Sequence, residues 1–479
     1  MASKVIRVVA ADGDFAGVRT EFGLPGDYPG AALAEAVRAA ADGPAPGPRE
    51  DATDLPLVTI DPPGAKDLDQ AMLIERRSGG GFRVHYAIAD LGAFVVSGGA
   101  LDAEVRKRGQ TVYLPDGNVP LHPAELSEGA ASLLPGEIRP AALWTIDCDA
   151  EGNQESAHVR RATVRSTVRF DYETVQAAVD AGNPHPSLAA LPDLGRARRA
   201  LAVRRGAVEL QLPEQEVVAD GDGWALVLRP RSEVDAWNAE ISLLTGMAAA
   251  EMMLTAGIGI LRTLPDPDDG AVQWLRRSAK SLGIDWPRDE AAAELLARLD
   301  PTRPESMALF MDATRLLRGA GYTTFDGSPP EISTHAGIAA PYAHVTAPLR
   351  RLVDRFGAEI CLAVSAGTEV PEWVRESLVS LPDLMSASDA LAAKVDRACL
   401  DQVEAWVLAD QIGAEFDAVV LRTENGNSAD VFVPAPPVLA RCTGEGMSEG
   451  ETMRVRLVEA DTAARKVSFQ RAEQEEKTE

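Results

Sequence analysis

One short string constrains this chain more than any other: Thr59-Ile-Asp61-Pro-Pro-Gly-Ala-Lys-Asp67-Leu-Asp69-Gln70. The run before it, Leu57-Val-Thr-Ile60, is compact, apolar and β-branched, which predicts a buried strand that delivers Asp61 at its end. Pro62-Pro63-Gly64 then forces a turn. Asp67 and Asp69 follow at i, i+2, a spacing that points both carboxylates to one side of an extended or tightly turned segment. Three carboxylates converging at one strand end repel one another unless a cation lies among them. Hard oxygen ligands favour Mg2+ or Mn2+, which keep several waters and bind phosphate oxygens in the remaining positions. That is the chemistry of metal-assisted phosphodiester cleavage. One ion activates the attacking water, and a second, ~4 Å away, holds the leaving oxygen. The plain alternative is a surface loop rich in Asp, Pro and Gly. An EF-hand is a poorer match, because the terminal Glu and central Gly it needs are absent.

The rest of the chain gives this string its setting. The 479 residues suggest two to four domains, and 46% hydrophobic with 25% charged residues is an ordinary globular composition. A net charge of −26 argues against a generic polyanion-coating surface, because phosphate affinity comes from clustered Lys and Arg. Cys148, Cys361, Cys399 and Cys442 lie far apart with no CxxC pair, so they read as reduced thiols of a cytoplasmic protein. The N-terminus lacks the apolar core of a signal peptide, and no uncharged apolar run reaches ~18 residues, so no membrane span is expected. Residues 1–54 form a short segment: a strand-like opening, an Ala-rich helical stretch (Ala31–Ala41) and a Gly/Pro linker, Gly43–Asp51. Residues 55–408 read as one mixed α/β domain, with helical blocks near Glu233–Leu254, Ser306–Arg318 and Ser386–Asp410. In 409–475, short alternating strands at Phe416–Leu421, Ala429–Val433, Met453–Val458 and Lys466–Phe469 suggest a small barrel. Gln474–Glu479 is expected to be a solvated, frayed end.

Four strings, in order, carry a resemblance. They are Asp61-Pro-Pro-Gly-Ala-Lys-Asp67-Leu-Asp69-Gln-Ala; His85-Tyr-Ala-Ile-Ala-Asp90; Thr111-Val-Tyr113-Leu-Pro-Asp-Gly-Asn-Val-Pro-Leu-His-Pro-Ala-Glu-Leu-Ser127; and Tyr342-Ala-His344-Val-Thr-Ala-Pro348-Leu-Arg350-Arg351-Leu-Val-Asp354-Arg. Together they resemble the RNB nuclease domain of the ribonuclease II / ribonuclease R family, over about residues 55–408, and the tail resembles the S1-type barrel that follows it. The resemblance implies an α/β (α+β) RNB nuclease domain with a C-terminal S1-like OB β-barrel. It implies 3′→5′ hydrolysis of single-stranded RNA to nucleoside 5′-monophosphates with Mg2+, Mn2+ being the alternative ion, by a monomer. It places Asp61, Asp67, Asp69 and Gln70 at the metals, Asp69 and Arg350 in catalysis, and Tyr113, His344, Arg350 and Arg351 on the RNA. The family's tandem cold-shock barrels need more chain than residues 1–54 supply, so a looser RNA grip or a partner-supplied surface is expected.

Several of these residues also have a plainer reading. Arg350 and Arg351 follow Thr346-Ala-Pro348, a turn that can open a helix, where backbone N–H groups and guanidinium forks favour phosphate; otherwise they are a solvated helix face. Tyr113 is a base-stacking residue, worth about 1–3 kcal/mol, or a core or strand-edge residue. His344 contacts phosphate or is a core histidine. Asp90 shapes hydrogen bonding rather than binding metal. The arginines of His158–Arg169 and Arg196–Arg205 are solvated faces or the walls of an RNA path.

The chain also departs from the family. The metal signature ordinarily ends D-x-D-D-A, and Gln70 stands at its last aspartate, which should weaken one metal site. Ala347, Leu352 and Gly246 replace the usual Ser, Tyr and Asn, and the acidic residue of the family's "E-R" helix falls at Asp389 or Asp396. These departures keep two rivals alive: a degenerate RNB-fold protein that binds RNA with weak or no nuclease activity, and a metal-dependent phosphatase on another fold.

Overall fold

A computed structural model describes residues 13–210, 214–221, 223–229, 231–424 and 427–472. The strand-like opening and the charged end Gln474–Glu479 lie outside the described residues.

The expected buried strand is the last part of a longer one. β1 (Glu50–Ile60) begins in mixed burial and becomes continuously buried at Leu57–Ile60. β2 (Gln70–Arg76) and β3 (Phe82–Ala89) follow, then a small hairpin of β4 (Val112–Leu114) and β5 (Gly117–Val119), and the long pair β6 (Ile138–Cys148) and β7 (Gln154–Phe170). β1, β2, β3, β6 and β7 close into a barrel in that order, all antiparallel except that β7 seals it by pairing parallel to β1. Register is fixed by buried side chains, because a one-residue slip would turn each strand inside out. Val58 lies opposite Met72, and Tyr86 is paired between Met72 and Trp144. Tyr86, Trp144, Leu57, Met72 and Ile88 are fully buried. The β2–β3 turn runs through Gly81, at φ +79°, where a Cβ would lie 2.2 Å from the Cys148 carbonyl oxygen; only glycine fits.

Helices cover this barrel. Glu233–Ala256 starts with a capping box, Ser232 and Asp235 satisfying each other's backbone N–H. Leu352–Ala366 packs beside it, and Leu381–Leu408 runs on to the tail. The expected helical block at Ser306–Arg318 is an α-helix over Pro304–Ala313 that tightens into a 3₁₀ turn, Thr314–Leu317. No described helix is long and apolar enough to cross a membrane.

The tail is a second closed five-stranded barrel: Glu415–Glu424, Ser428–Pro434, Pro437–Thr443, Thr452–Asp461 and Lys466–Arg471. In spatial order the fifth strand lies between the third and the fourth, parallel to the third, which is the OB arrangement of the expected S1-like barrel. Four of its strands were legible as alternating runs. Pro437–Thr443 was not, because it opens after two prolines and its burial does not alternate.

Candidate functional site

The carboxylate loop is built by strand geometry and then pinned. Asp61 N–H still donates to the Phe170 carbonyl (3.0 Å), so Asp61 prolongs the β1–β7 pairing. Gly64, at φ +85°, completes the Pro-Pro-Gly turn. Fully buried Leu68 then anchors the loop. Its N–H donates to Ser132 Oγ (3.0 Å), and that hydroxyl donates to the Lys66 carbonyl (2.6 Å). Leu68 and Asp69 are both buried, while Asp67 between turn and strand keeps part of its surface in water.

The three aspartates meet different partners. Asp69 is buried, and its Oδ1 accepts from the Leu349 N–H (2.7 Å) while Oδ2 lies 3.4 Å from Arg350 Nε. Burial pushes its carboxyl up to about 8, although the Arg350 charge and the Leu349 N–H pull the other way. Asp61 Oδ2 is buried with no hydrogen-bond partner. Burial raises this carboxyl to about 6; the nearby Thr59 hydroxyl opposes the rise, the Asp67 charge adds to it, and Arg169 and Arg350 oppose it. Half-buried Asp67 accepts from the Tyr113 hydroxyl at 3.4 Å. Tyr113 lies on β4 and is 51% exposed. Arg350 is tied to that hairpin by its own backbone, since Thr111 N–H donates to the Arg350 carbonyl (2.9 Å) and Leu352 N–H to Gly109 (2.9 Å). The Arg350 side chain as a whole remains 51% exposed. Asp61, Asp67, Asp69, Arg350 and Tyr113 therefore share one site at the barrel's end.

Gln70, His344 and Arg351 are held differently. Gln70 Oε1 accepts from the buried Tyr86 hydroxyl (2.7 Å), and its Nε2 donates to the Thr346 carbonyl (2.7 Å). Thr346 in turn shares a 2.9 Å hydroxyl bond with Ser242. An aspartate could not donate to that carbonyl, so the glutamine works as a strut between barrel, loop and helix. Arg351 grips Asp354 (Nη2 to Oδ1, 2.8 Å), whose Oδ1 also accepts the Ala347 N–H (2.7 Å). This pair shapes the Thr346–Arg351 loop from within. His344 Nδ1 bonds the Tyr322 hydroxyl (2.8 Å), and its ring packs edge-on to Tyr322 and Tyr342; burial, with the charges of Arg351, Arg262 and Arg350, holds its pKa well below the usual imidazole range. Gly246 makes room for that packing, since a Cβ there would lie 2.2 Å from the Tyr342 ring.

Other expectations resolve by partner. Asp90 receives Arg161 (2.6 Å) and Arg49 (3.3 Å), and Arg161 also grips Glu359. Asp389 pairs with Arg262 (2.8 Å), and Asp396 lies on the exposed face of the long helix with its carboxyl raised by partial desolvation. Of the arginine stretches, Arg160 pairs with Glu50, Arg196 with Asp193 and Arg199 with Glu209, while Arg205 donates to the Ile338 carbonyl. Arg169 alone among those named reaches the carboxylate loop, donating to the Ala65 carbonyl (2.6 Å). Tyr86 and Ser242 were missed as parts of the site, Tyr86 because it reads as ordinary core and Ser242 because its partner Thr346 is 104 residues away. Asp354 lies in the string that starts at Tyr342 but was given no role, although its partners Arg351 and Ala347 are near in sequence.

Among the described residues no three His, Cys, Asp or Glu side chains gather into a group that could hold a metal ion. The donors present fit a hard cation at Asp61 and Asp67: an orphaned buried carboxylate oxygen beside a second carboxylate. Gln70 commits its Nε2 to Thr346 and one lone pair of Oε1 to Tyr86, so as a ligand it has only the second lone pair of that neutral oxygen to offer.

Comparison with known proteins places this geometry. Residues 49–360 match the RNB domain, and residues 414–472 match the RNase II-type exonuclease C-terminal S1 domain. Exoribonuclease 2 of Enterobacter sp. (strain 638) is 28% identical over 415 residues, covering 81% of this chain and 63% of that protein. Ribonuclease R of Escherichia coli (strain K12) is 28% identical over 399 residues, covering 78% and 48%. The chain thus spans about half to two thirds of the length of these relatives. Among solved structures, Mycoplasma genitalium RNase R in complex with ribose-methylated single-stranded RNA has a TM-score of 0.83 at 19% identity, covering 95% of this chain and 77% of that one. Yeast Ssd1, a pseudonuclease, has a TM-score of 0.71 at 18% identity, covering 84% and 52%. At such identities the structural likeness concerns the fold.

Proposed function

Because the chain belongs to the RNB family, we propose that it hydrolyses single-stranded RNA from the 3′ end and releases nucleoside 5′-monophosphates. The observation that carries this reading is the gathering of Asp67, Asp69, an exposed Arg350 and a half-exposed Tyr113 at one barrel end, with Asp61 at the end of β1 near enough to feel the Asp67 and Arg350 charges. Arg350 offers a guanidinium fork to the scissile phosphate and stabilises the charge that grows on its oxygens. Asp69 orients Arg350 and is itself fixed by the Leu349 N–H. Tyr113 presents its ring to a base, a sequence-tolerant contact worth about 1–3 kcal/mol. Arg351 and His344 act on RNA through the loop they hold. Mg2+ or Mn2+, when bound at Asp61 and Asp67, would supply Lewis acidity at the phosphate and lower the pKa of a bound water.

The Gln70 strut favours one second reading, that of an RNA-binding protein with little nuclease activity. End-labelled single-stranded RNA, incubated with and without Mg2+ or Mn2+, separates the two. Mononucleotides released only with the ion are expected from the exonuclease; normal RNA binding with no release would establish the binder. In the latter case Gln70→Asp should raise activity from near zero by an order of magnitude or more. Small phosphate esters cleaved in place of RNA would point instead to a phosphatase.

A further inference from the structure

We infer that the segment Gly13–Tyr28 is a clasp that holds Tyr113 in position for the RNA 3′ end, with Arg19 as its positioning residue. The inference rests on the RNA reading above and adds a part of the chain that no family motif touches.

The argument starts from the weakness of the hairpin that carries Tyr113. β4 and β5 have three residues each, and a two-stranded hairpin of that size has marginal stability of its own. Strand alternation puts Tyr113 on one face, toward Asp67, and Val112 and Leu114 on the other. That second face does not join the nuclease barrel's core. Val112, Leu114 and Val119 belong instead to the apolar cluster of the tail barrel and the end of the long helix, together with Phe15 and Val18 of the clasp. The position of Tyr113 over the carboxylates is thus set by elements outside the nuclease barrel.

The clasp grips the hairpin at two points and is itself anchored at three. Arg19 reaches the hairpin turn in a two-pronged contact with Asp116, Nη1 to Oδ2 at 2.8 Å and Nη2 to Oδ1 at 2.7 Å. The Tyr28 hydroxyl donates to the Pro120 carbonyl just behind β5 (2.8 Å). The Arg108 guanidinium lies 3.8 Å from the centre of the Tyr28 ring and donates to the Gly26 carbonyl (3.0 Å). For anchorage, fully buried Phe15 lies edge-on between Trp224 and Trp406 at 5.3 and 5.5 Å. Trp224 Nε1 donates to the Gly13 carbonyl (2.9 Å), and a Cβ on Gly13 would lie 2.4 Å from the Trp406 ring. Glu21 pairs with Arg465 of the tail barrel. An isolated, partly exposed ion pair contributes little to global stability, but a bidentate pair on a turn restricts where that turn can sit. Arg19 should therefore govern placement of the hairpin more than folding.

The test uses the whole chain carrying Asp69→Asn, with single-stranded RNA bearing a fluorescent adenine analogue at its 3′ end. Stacking on Tyr113 quenches the analogue, and Tyr113→Ala, the reference, removes the quench. Adding Arg19→Asp is expected to lose most of the quench and weaken binding about five-fold or more, the equivalent of losing one stacked base. Reversing the pair, Arg19→Asp with Asp116→Arg, is expected to restore both to within about two-fold. In the Asp69 background Arg19→Asp should raise KM and leave kcat within about two-fold. An unchanged quench in Arg19→Asp, failure of the reversed pair to restore it, or an unchanged quench in Tyr113→Ala would each overturn the clasp. A chain that releases no mononucleotides but shows this stacking pattern would sink the exonuclease reading and leave the clasp standing.

Discussion

The two closed barrels put their charges in opposite situations. At the end of the nuclease barrel, Asp61 and Asp69 are withdrawn from water, one with an unpartnered oxygen and both with raised carboxyls. On the tail barrel, Arg454 and Asp417 lie 3.2 Å apart with both side chains at least half exposed, and Arg456 pairs at 2.8 Å with a partly exposed Glu415. Water already screens the second kind of pair, so removing one partner changes little. At the first site burial outweighs the neighbouring Arg350 and Arg169 charges, so both carboxyls press for a cation or proton. A fold holds such groups only where the surrounding structure forces them, and this is where chemistry concentrates.

The largest effect belongs to Asp69→Asn, which keeps the shape and replaces the carboxyl facing Arg350 with an amide that cannot ionise. Mononucleotide release is expected to fall by about three orders of magnitude, with RNA affinity nearly kept. Loss of binding alongside activity would show that Asp69 matters to the fold and would blur the contrast between the barrels.

An intermediate case lies where the long helix meets the tail barrel. Glu404 Oε1 accepts from Gln215 Nε2 (2.9 Å) and the Leu439 N–H (3.2 Å), and burial raises its carboxyl to about 7. The raised value means the folded state prefers the protonated form. Its contribution to stability is therefore complete below the ordinary carboxylate range and lost as pH climbs toward 7. Between pH 5 and 8 the parent should lose on the order of 2 kcal/mol relative to Glu404→Gln, whose amide oxygen can keep both contacts. Parallel thermal unfolding of the two proteins across that range checks it; identical pH profiles would mean that Glu404 is solvated like the surface charges.

The smallest effect is expected from Arg454→Ala, with a melting temperature within about 1 °C of the parent's. A drop of several degrees would show that the tail's surface pairs act as a network and would erase the distinction drawn here.

The carboxylate loop was legible because everything it needs is local: a β-branched run, a Pro-Pro-Gly turn, and aspartates two residues apart. The tail strands were legible for the same reason, except Pro437–Thr443, which lacks alternation. The roles of the arginines were not. Arg160 and Arg199 read in sequence as solvated faces or as walls of an RNA path, and the fold brings Glu50 and Glu209 to meet them. Gln70 read as a weakened ligand because its spacing matches a metal signature, and its actual partner, the Thr346 carbonyl, is 276 residues away.

By itself, then, the sequence determined where charge would accumulate and which strands would carry it, since side-chain alternation and turn chemistry act over a few residues. Tertiary structure alone decided which of those charges would be neutralised. The Leu349 N–H reaches Asp69 across 280 residues, and the clasp's Arg19 reaches the Tyr113 hairpin across 97. Whether a polar group is buried, paired or left open depends on what the whole chain folds against it.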